Sequence, residues 1–161
     1  MIIIEKVIKM IQKIISGGQS GADLAGNYFA KKYQIETEIN AEKNYKPLYD
    51  TIPTDIKINI VSNKKGKEGG WVERRRYNIQ SSDFTLILLG KSISETRGSL
   101  GTWNDCKRLK KDCFCVNIHN PKDIDDIRFL LNRLCPKTIN IAGERSLNKE
   151  EVISVLEKIL L

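Results

Sequence analysis

The chain has 161 residues, 40% of them hydrophobic and 29% charged, the balance of one globular domain with a core of its own. Its formal charge is +7, but the excess is mostly scattered lysine, which fits composition bias better than a nucleic-acid surface. No apolar run is long enough for a membrane span or a secretion signal, so a cytoplasmic protein without a membrane partner is expected.

Residues 1–11 read as a short amphipathic N-terminal extension, with Ile4, Val7, Ile8 and Ile11 at helical spacing. A first strand is predicted at 13–16. It runs into Gly17-Gly18-Gln19-Ser20-Gly21 and a helix over 20–33, with Leu24, Ala25 and Tyr28 facing inward. A second strand is predicted at 35–39. Residues 40–70 hold Pro47, Pro53 and a basic run at 64–67; loops are expected there, with a strand at 57–61 and the basic run solvated. A helix follows at 71–80. The unbroken apolar run 84–89 marks a strand buried on both faces. Residues 98–111 read as a loop opening a helix, 113–118 as another buried strand and 123–134 as a helix. Residues 138–142 read as a strand, and 147–160 as a closing helix capped by Ser146 or Asn148. This alternation predicts a mostly parallel sheet with helices on both faces, a three-layer α/β sandwich.

The four cysteines, Cys106, Cys113, Cys115 and Cys135, include no C-x-x-C pair, and His119 stands apart, so no metal ligands are assigned. Cys113 and Cys115 should face one side of the sheet, and buried, reduced thiols are expected.

In such folds ligands bind beyond the carboxyl ends of the strands, where both glycine segments should lie. Gly17 to Gly21 precedes a helix, so free amides and the positive end of the helix dipole would face an anion. The segment is neither a Walker loop nor G-x-G-x-x-G. In Arg97-Gly-Ser-Leu-Gly-Thr-Trp-Asn-Asp105, Thr102 is a candidate cap and phosphate donor, and Asp105 should look back toward the loop. Two such segments on one sheet edge suggest a phosphate-sized ligand bridging them. Arg74, Arg75 and Arg76 point in three directions about 100° apart, with Arg74 and Asn78 on one face. Asp83 reads as a turn former.

Four ordered segments together resemble the SLOG superfamily of Rossmann-like proteins, most closely its circularly permuted branch, whose members are generally labelled molybdenum carriers. They are Gly17, Gly18, Gln19, Ser20, Gly21 and Asp23; Arg74, Asn78, Ser82 and Asp83 before the run 84–89; Gly98 to Thr102; and Asn140, Ala142, Gly143, Arg145 and Ser146. The resemblance implies a Rossmann-like fold, self-association into a homo-oligomer, and a pocket for a small phosphorylated ligand, for some relatives the molybdenum cofactor, a phosphorylated pterin. The implied binding residues are Gly17, Gly18, Gln19, Ser20, Gly21, Asp23, Arg74, Asn78, Gly98, Ser99, Gly101, Thr102 and Arg145. A Gly-Trp-x-Pro-Lys-Gly segment usual in the family is missing from 40–70.

Three functions follow. The first is a binding or carrier protein for a phosphorylated pterin or nucleotide-like ligand. The second is a nucleoside 5'-monophosphate phosphoribohydrolase like the Lonely Guy branch of the superfamily. There Asp105 would stand where that branch has a glutamate, with Arg74 near its arginine. The third is nucleic-acid binding, for which no aromatic-interleaved basic groove is visible.

Overall fold

The computed structural model describes residues 11–161; of the N-terminal extension at 1–11, all but Ile11 lies outside them. Six strands form one all-parallel sheet: β1 (Lys13–Ser16), β2 (Glu36–Ala41), β3 (Lys57–Ile60), β4 (Phe84–Leu89), β5 (Asp112–Asn117) and β6 (Thr138–Gly143). Their spatial order is β3-β2-β1-β6-β4-β5. Among the described residues five α-helices cover it: α1 (Ala22–Lys32), α2 (Trp71–Gln80), α3 (Arg97–Arg108), α4 (Pro121–Leu134) and α5 (Lys149–Leu160). Helices α1, α4 and α5 pack on one face, and α2 and α3 on the other, the Rossmann-like arrangement expected.

The first face is apolar. Ile14, Leu86, Leu88, Ile139 and Ile141 meet Phe29, Ile127, Leu131, Val155 and Leu156 in one continuous core. Each such fully buried side chain contributes about 1.5–3 kcal/mol relative to exposure. All six residues of β4 are buried, as its unbroken apolar run predicts. Leu24 and Ala25 face inward as expected, but Phe29 takes the core position foreseen for Tyr28. Tyr28 is half-buried and donates its hydroxyl to the Thr51 carbonyl at 2.9 Å.

The second face is more polar. Asn40 Nδ2 donates to Asn78 Oδ1 at 2.9 Å, Asn78 Nδ2 to the Asn40 carbonyl at 3.1 Å, and Asn59 Nδ2 to Asn40 Oδ1 at 2.9 Å. The buried amides of Asn40 and Asn78 satisfy one another, half-buried Asn59 joins them from β3, and the set fixes α2 over β2.

Several local signals act as the sequence suggests. Asn148 caps α5 by accepting the Glu151 amide at 3.0 Å. Asp83 Oδ2 accepts the amides of Lys137 and Thr138, both at 3.0 Å, which pins the entry of β6 beside β4. The basic run forms a tight exposed turn in which Asn63 Oδ1 accepts the Lys65 and Lys67 amides at 2.9 and 3.1 Å.

Other expectations need correction. The segment at 98–111 is not a loop opening a helix: α3 already begins at Arg97, so Gly98 to Thr102 are its first turns. Thr102 is therefore no cap; its hydroxyl donates back to the Gly98 carbonyl at 3.2 Å. Strand β5 is not buried on both faces, because it is the edge of the sheet, and only Val116 is fully buried. Cys113 and Cys115 do share the α3 face, in register with Thr85 and Ile87 of β4. All four thiols are free, but only Cys106 is buried; Cys113 and Cys115 are half-buried and Cys135 is exposed.

Candidate functional site

The chain leaves β6 for α5 on one face of the sheet, and it leaves β4, its neighbour, for α3 on the other. The divergence opens a crevice at the carboxyl ends of these strands, the usual ligand position in open α/β sheets. A cavity of about 120 Å³ lies there, walled by Gly17, Gln19, Asp23, Trp71, Arg74 and Arg75 together with residues of α3 and β6. A second, of about 410 Å³, adjoins it and shares Gly98, Ser99, Gly143 and Arg145 with the first. Of the expected site residues, Gly17, Gln19, Asp23, Arg74, Asn78, Gly98, Ser99, Thr102 and Arg145 converge on the first cavity. Gly18, Ser20, Gly21, Gly101 and Asp105 are not in its wall.

The amides of the first glycine segment are largely engaged within the chain. The Gly18 amide donates to Ser16 Oγ at 3.0 Å, the Gln19 amide to Asp23 Oδ2 at 3.2 Å and the Gly21 amide to Asp50 Oδ2 at 2.7 Å. The Ala22 amide donates to the Glu144 carbonyl at 3.1 Å. A carboxylate of the chain itself thus sits where the dipole of α1 favours an anion. The glycines answer to the same packing. A Cβ at Gly17 would strike the Arg74 side chain, and Gly21, at φ 79°, lies against the backbone of Glu144 and Arg145.

The segment after β2 closes over this loop. Tyr45 donates its hydroxyl to the Gly18 carbonyl at 2.5 Å, and Ser20 Oγ accepts the Tyr49 and Asp50 amides at 2.7 and 3.1 Å. Residues 40–70 therefore furnish part of the site, although their sequence carries no motif for it. The buried Glu42 belongs to the same set: its Oε1 accepts from Gln19 Nε2 at 2.7 Å.

The three arginines divide as follows. Arg74 turns toward β1, with Nη1 3.7 Å from Asp23 Oδ2 and Nε 3.8 Å from Glu42 Oε2. Arg75 and Arg76 both reach Asp105 Oδ2, at 2.7 and 3.5 Å, and Arg108 reaches Oδ1 at 3.3 Å. Burial opposes ionisation of Asp105, but the Arg75 hydrogen bond and charge, joined by Arg108 and Arg76, hold its carboxyl below the ordinary carboxylate range. Asp105 accordingly clamps α2 to α3. Asp23 has the opposite environment: burial raises its carboxyl to about 6 against the pull of Arg74.

Helix α3 supplies what the first loop does not. Thr96 precedes it without a side-chain cap, its hydroxyl donating instead to the Ile93 carbonyl at 3.0 Å. The amides of Gly98 and Ser99 have no hydrogen-bond partner among the described residues, and both residues border the two cavities. Arg75 and Arg145 stand in the same wall, and the Arg145 guanidinium lies 4.9 Å from the centroid of the Trp71 ring.

The circularly permutated YpsA SLOG family matches the chain over residues 14–161. The chain belongs to this family. Among solved structures, one from Syntrophus aciditrophicus SB, described as a "putative molybdenum carrier protein", is 27% identical, with a TM-score of 0.78 over 94% of this chain and 96% of that one. A reductase of (E)-1-hydroxy-2-methyl-but-2-enyl 4-diphosphate from Plasmodium falciparum is 12% identical, with a TM-score of 0.37 over 96% of this chain and 56% of that one, too distant to bear on function. No curated protein matches the chain. Among the described residues, no helix is long and apolar enough to cross a membrane.

Proposed function

We propose that this SLOG protein binds and carries a small ligand made of a flat ring and a phosphate, the phosphorylated pterin of the molybdenum cofactor being the candidate. The observation that carries this reading is the polarity of the crevice. The Gly98 and Ser99 amides of α3, unpartnered among the described residues, and Arg145 border both cavities, and Arg75, held by Asp105 through its Nε, lines the first. A helix N-terminus with two arginines is a phosphate site on elementary grounds. The Trp71 ring beside Arg145 offers a plane for a heterocycle. The adjoining cavities together reach the range of small-ligand sites, roughly 300–1,000 Å³. Among the described residues no three acidic, thiol or imidazole side chains converge as a metal site, so in this reading the ligand holds any metal on its own atoms.

The first glycine segment then positions rather than binds: it orients Asp23 and leaves room for Arg74. The phosphoribohydrolase reading has less support, because Asp105, its carboxylate, is held by three guanidinium groups outside the cavity wall. Self-association belongs to the proposal as well, through the exposed Val72 and Tyr77 of α2.

The test is to denature the purified protein, identify released small molecules by mass spectrometry and measure molybdenum by elemental analysis. A pterin phosphate supports the reading. If the protein is purified empty, titration with inorganic phosphate decides: saturable binding that Arg145→Ala weakens supports it, and no binding refutes it.

A further inference from the structure

The crevice has a second chemical side that a phosphate does not use. Asp23, in the first turn of α1, is 5% exposed and forms part of the wall of the smaller cavity. Its Oδ2 accepts the Gln19 amide, and Arg74 Nη1 at 3.7 Å is too far for a good hydrogen bond. No donor among the described residues is hydrogen-bonded to Oδ1. Arg74 is also shared with Glu42, and both Arg74 Nε and Glu42 Oε2 are buried without a hydrogen-bond partner among the described residues. Asn140 stands in the same wall; its Nδ2 donates to Thr85 Oγ1 at 3.3 Å, and its Oδ1 accepts nothing among the described residues. The cavity thus presents spare acceptors on the Asp23 side and spare donors at α3.

We propose that Asp23 selects the ring of the ligand, accepting heterocycles with a ring N–H beside an exocyclic amino group, the amino-oxo pyrimidine edge shared by pterins and guanine, and rejecting adenine-type rings. This rests on the binding reading above and names the ring class it takes. Two adjacent donors match the two oxygens of one carboxylate, as a guanidinium does. An adenine-type ring sets one amino donor beside a ring nitrogen acceptor, so a lone pair would face the carboxylate, and an unpaired buried polar group discriminates strongly. The Trp71 ring would hold the heterocycle's face and α3 its phosphate. Ionised Asp23 is disfavoured by burial, and ligand donors would relieve that at neutral pH.

The test titrates GMP, IMP, AMP and inorganic phosphate into the full chain by calorimetry at neutral pH. GMP should bind about tenfold or more tightly than AMP, the scale of one charge-assisted hydrogen bond. IMP differs from GMP only by the exocyclic amino group and should lose a similar factor, a comparison that needs no variant. In Asp23→Asn, with cooperative unfolding verified, the ratio of GMP to AMP affinity should fall toward one. Equal affinities in the wild type, or a preference kept by Asp23→Asn, would overturn the role of Asp23 and leave the phosphate site standing. Failure of all four to bind would overturn both.

Discussion

Asp50 Oδ2 accepts the Gly21 amide at 2.7 Å, placing a carboxylate of residues 40–70 at the N-terminus of α1. The pair joins two helix-end effects, an orphan amide satisfied and a negative charge against the positive end of the dipole. Asp50→Ala should lower stability by about 1 kcal/mol. Hydrogen exchange of the Tyr49 amide, which Ser20 Oγ accepts beside it, should rise at the same time. An unchanged melting temperature with unchanged exchange would show that this contact is not formed in solution.

Asp23 should make the ligand-free protein less stable as it ionises. Its folded-state carboxyl is raised from 3.8 to about 6, so the native state holds a proton that the unfolded chain has lost between those values. Stability therefore falls as pH rises through that window and is level above it, by about 3 kcal/mol at the scale of 1.36 kcal/mol per pH unit. Asp23→Asn should raise the melting temperature above about pH 6 and leave it unchanged below about pH 4, near the ordinary carboxylate value. A variant equally or less stable at neutral pH would refute this environment for Asp23.

Asp105 has the opposite sign. With its carboxyl lowered in the folded state, its contribution is full above the ordinary carboxylate value and fades as acid protonates it. Asp105→Ala leaves three guanidinium groups, two of them half-exposed, without their shared partner and should cost about 1–2 kcal/mol at neutral pH, with the difference shrinking on acidification. Urea unfolding at neutral and acid pH measures it. A variant that unfolds like the wild type would leave the clamp between α2 and α3 without energetic weight.

Arg145 borders both cavities and has no ion-pair partner among the described residues. Arg145→Ala should weaken phosphate binding about tenfold or more, the scale of a charge-assisted hydrogen bond, with little change in melting temperature. The affinity of the wild type should also fall as salt is added. Calorimetry at two ionic strengths checks both.

Cys113 and Cys106 titrate as a pair. The neighbouring Cys106 thiol lowers the Cys113 thiol to about 7, although burial opposes this, while the same proximity pushes Cys106 up. Alkylation of Cys113, followed by peptide mass spectrometry, should show an inflection near that value. In Cys106→Ala the inflection should move up toward the ordinary thiol range, about 8.5. An inflection that stays in place would remove Cys106 as the cause.

Much of the fold was legible in the sequence because burial has a period. The bounds of β1, α2 and β4 match those predicted, and the strand at 57–61 appears as β3. The segment at 98–111 misled because Gly98 and Gly101 look like a loop, whereas they lie inside α3, where a Cβ at Gly98 would meet open space and one at Gly101 the Arg75 side chain. Strand β5 misled because an edge position is a property of the sheet, not of the strand.

The sequence alone determined the alternation of strands and helices, hence the parallel sheet, and brought Gly17, Arg74, Gly98 and Arg145 to one end of it. Only the tertiary structure decided which groups there remain free. Gly21 and Asp50 are 29 residues apart, and Arg75 and Asp105 are 30 apart. Hydrogen bonds across such separations follow no local spacing, because they depend on how whole elements pack. That packing engaged much of the first glycine segment, fixed Asp105 as a clamp, and left the Gly98 and Ser99 amides and one oxygen of Asp23 without partners among the described residues.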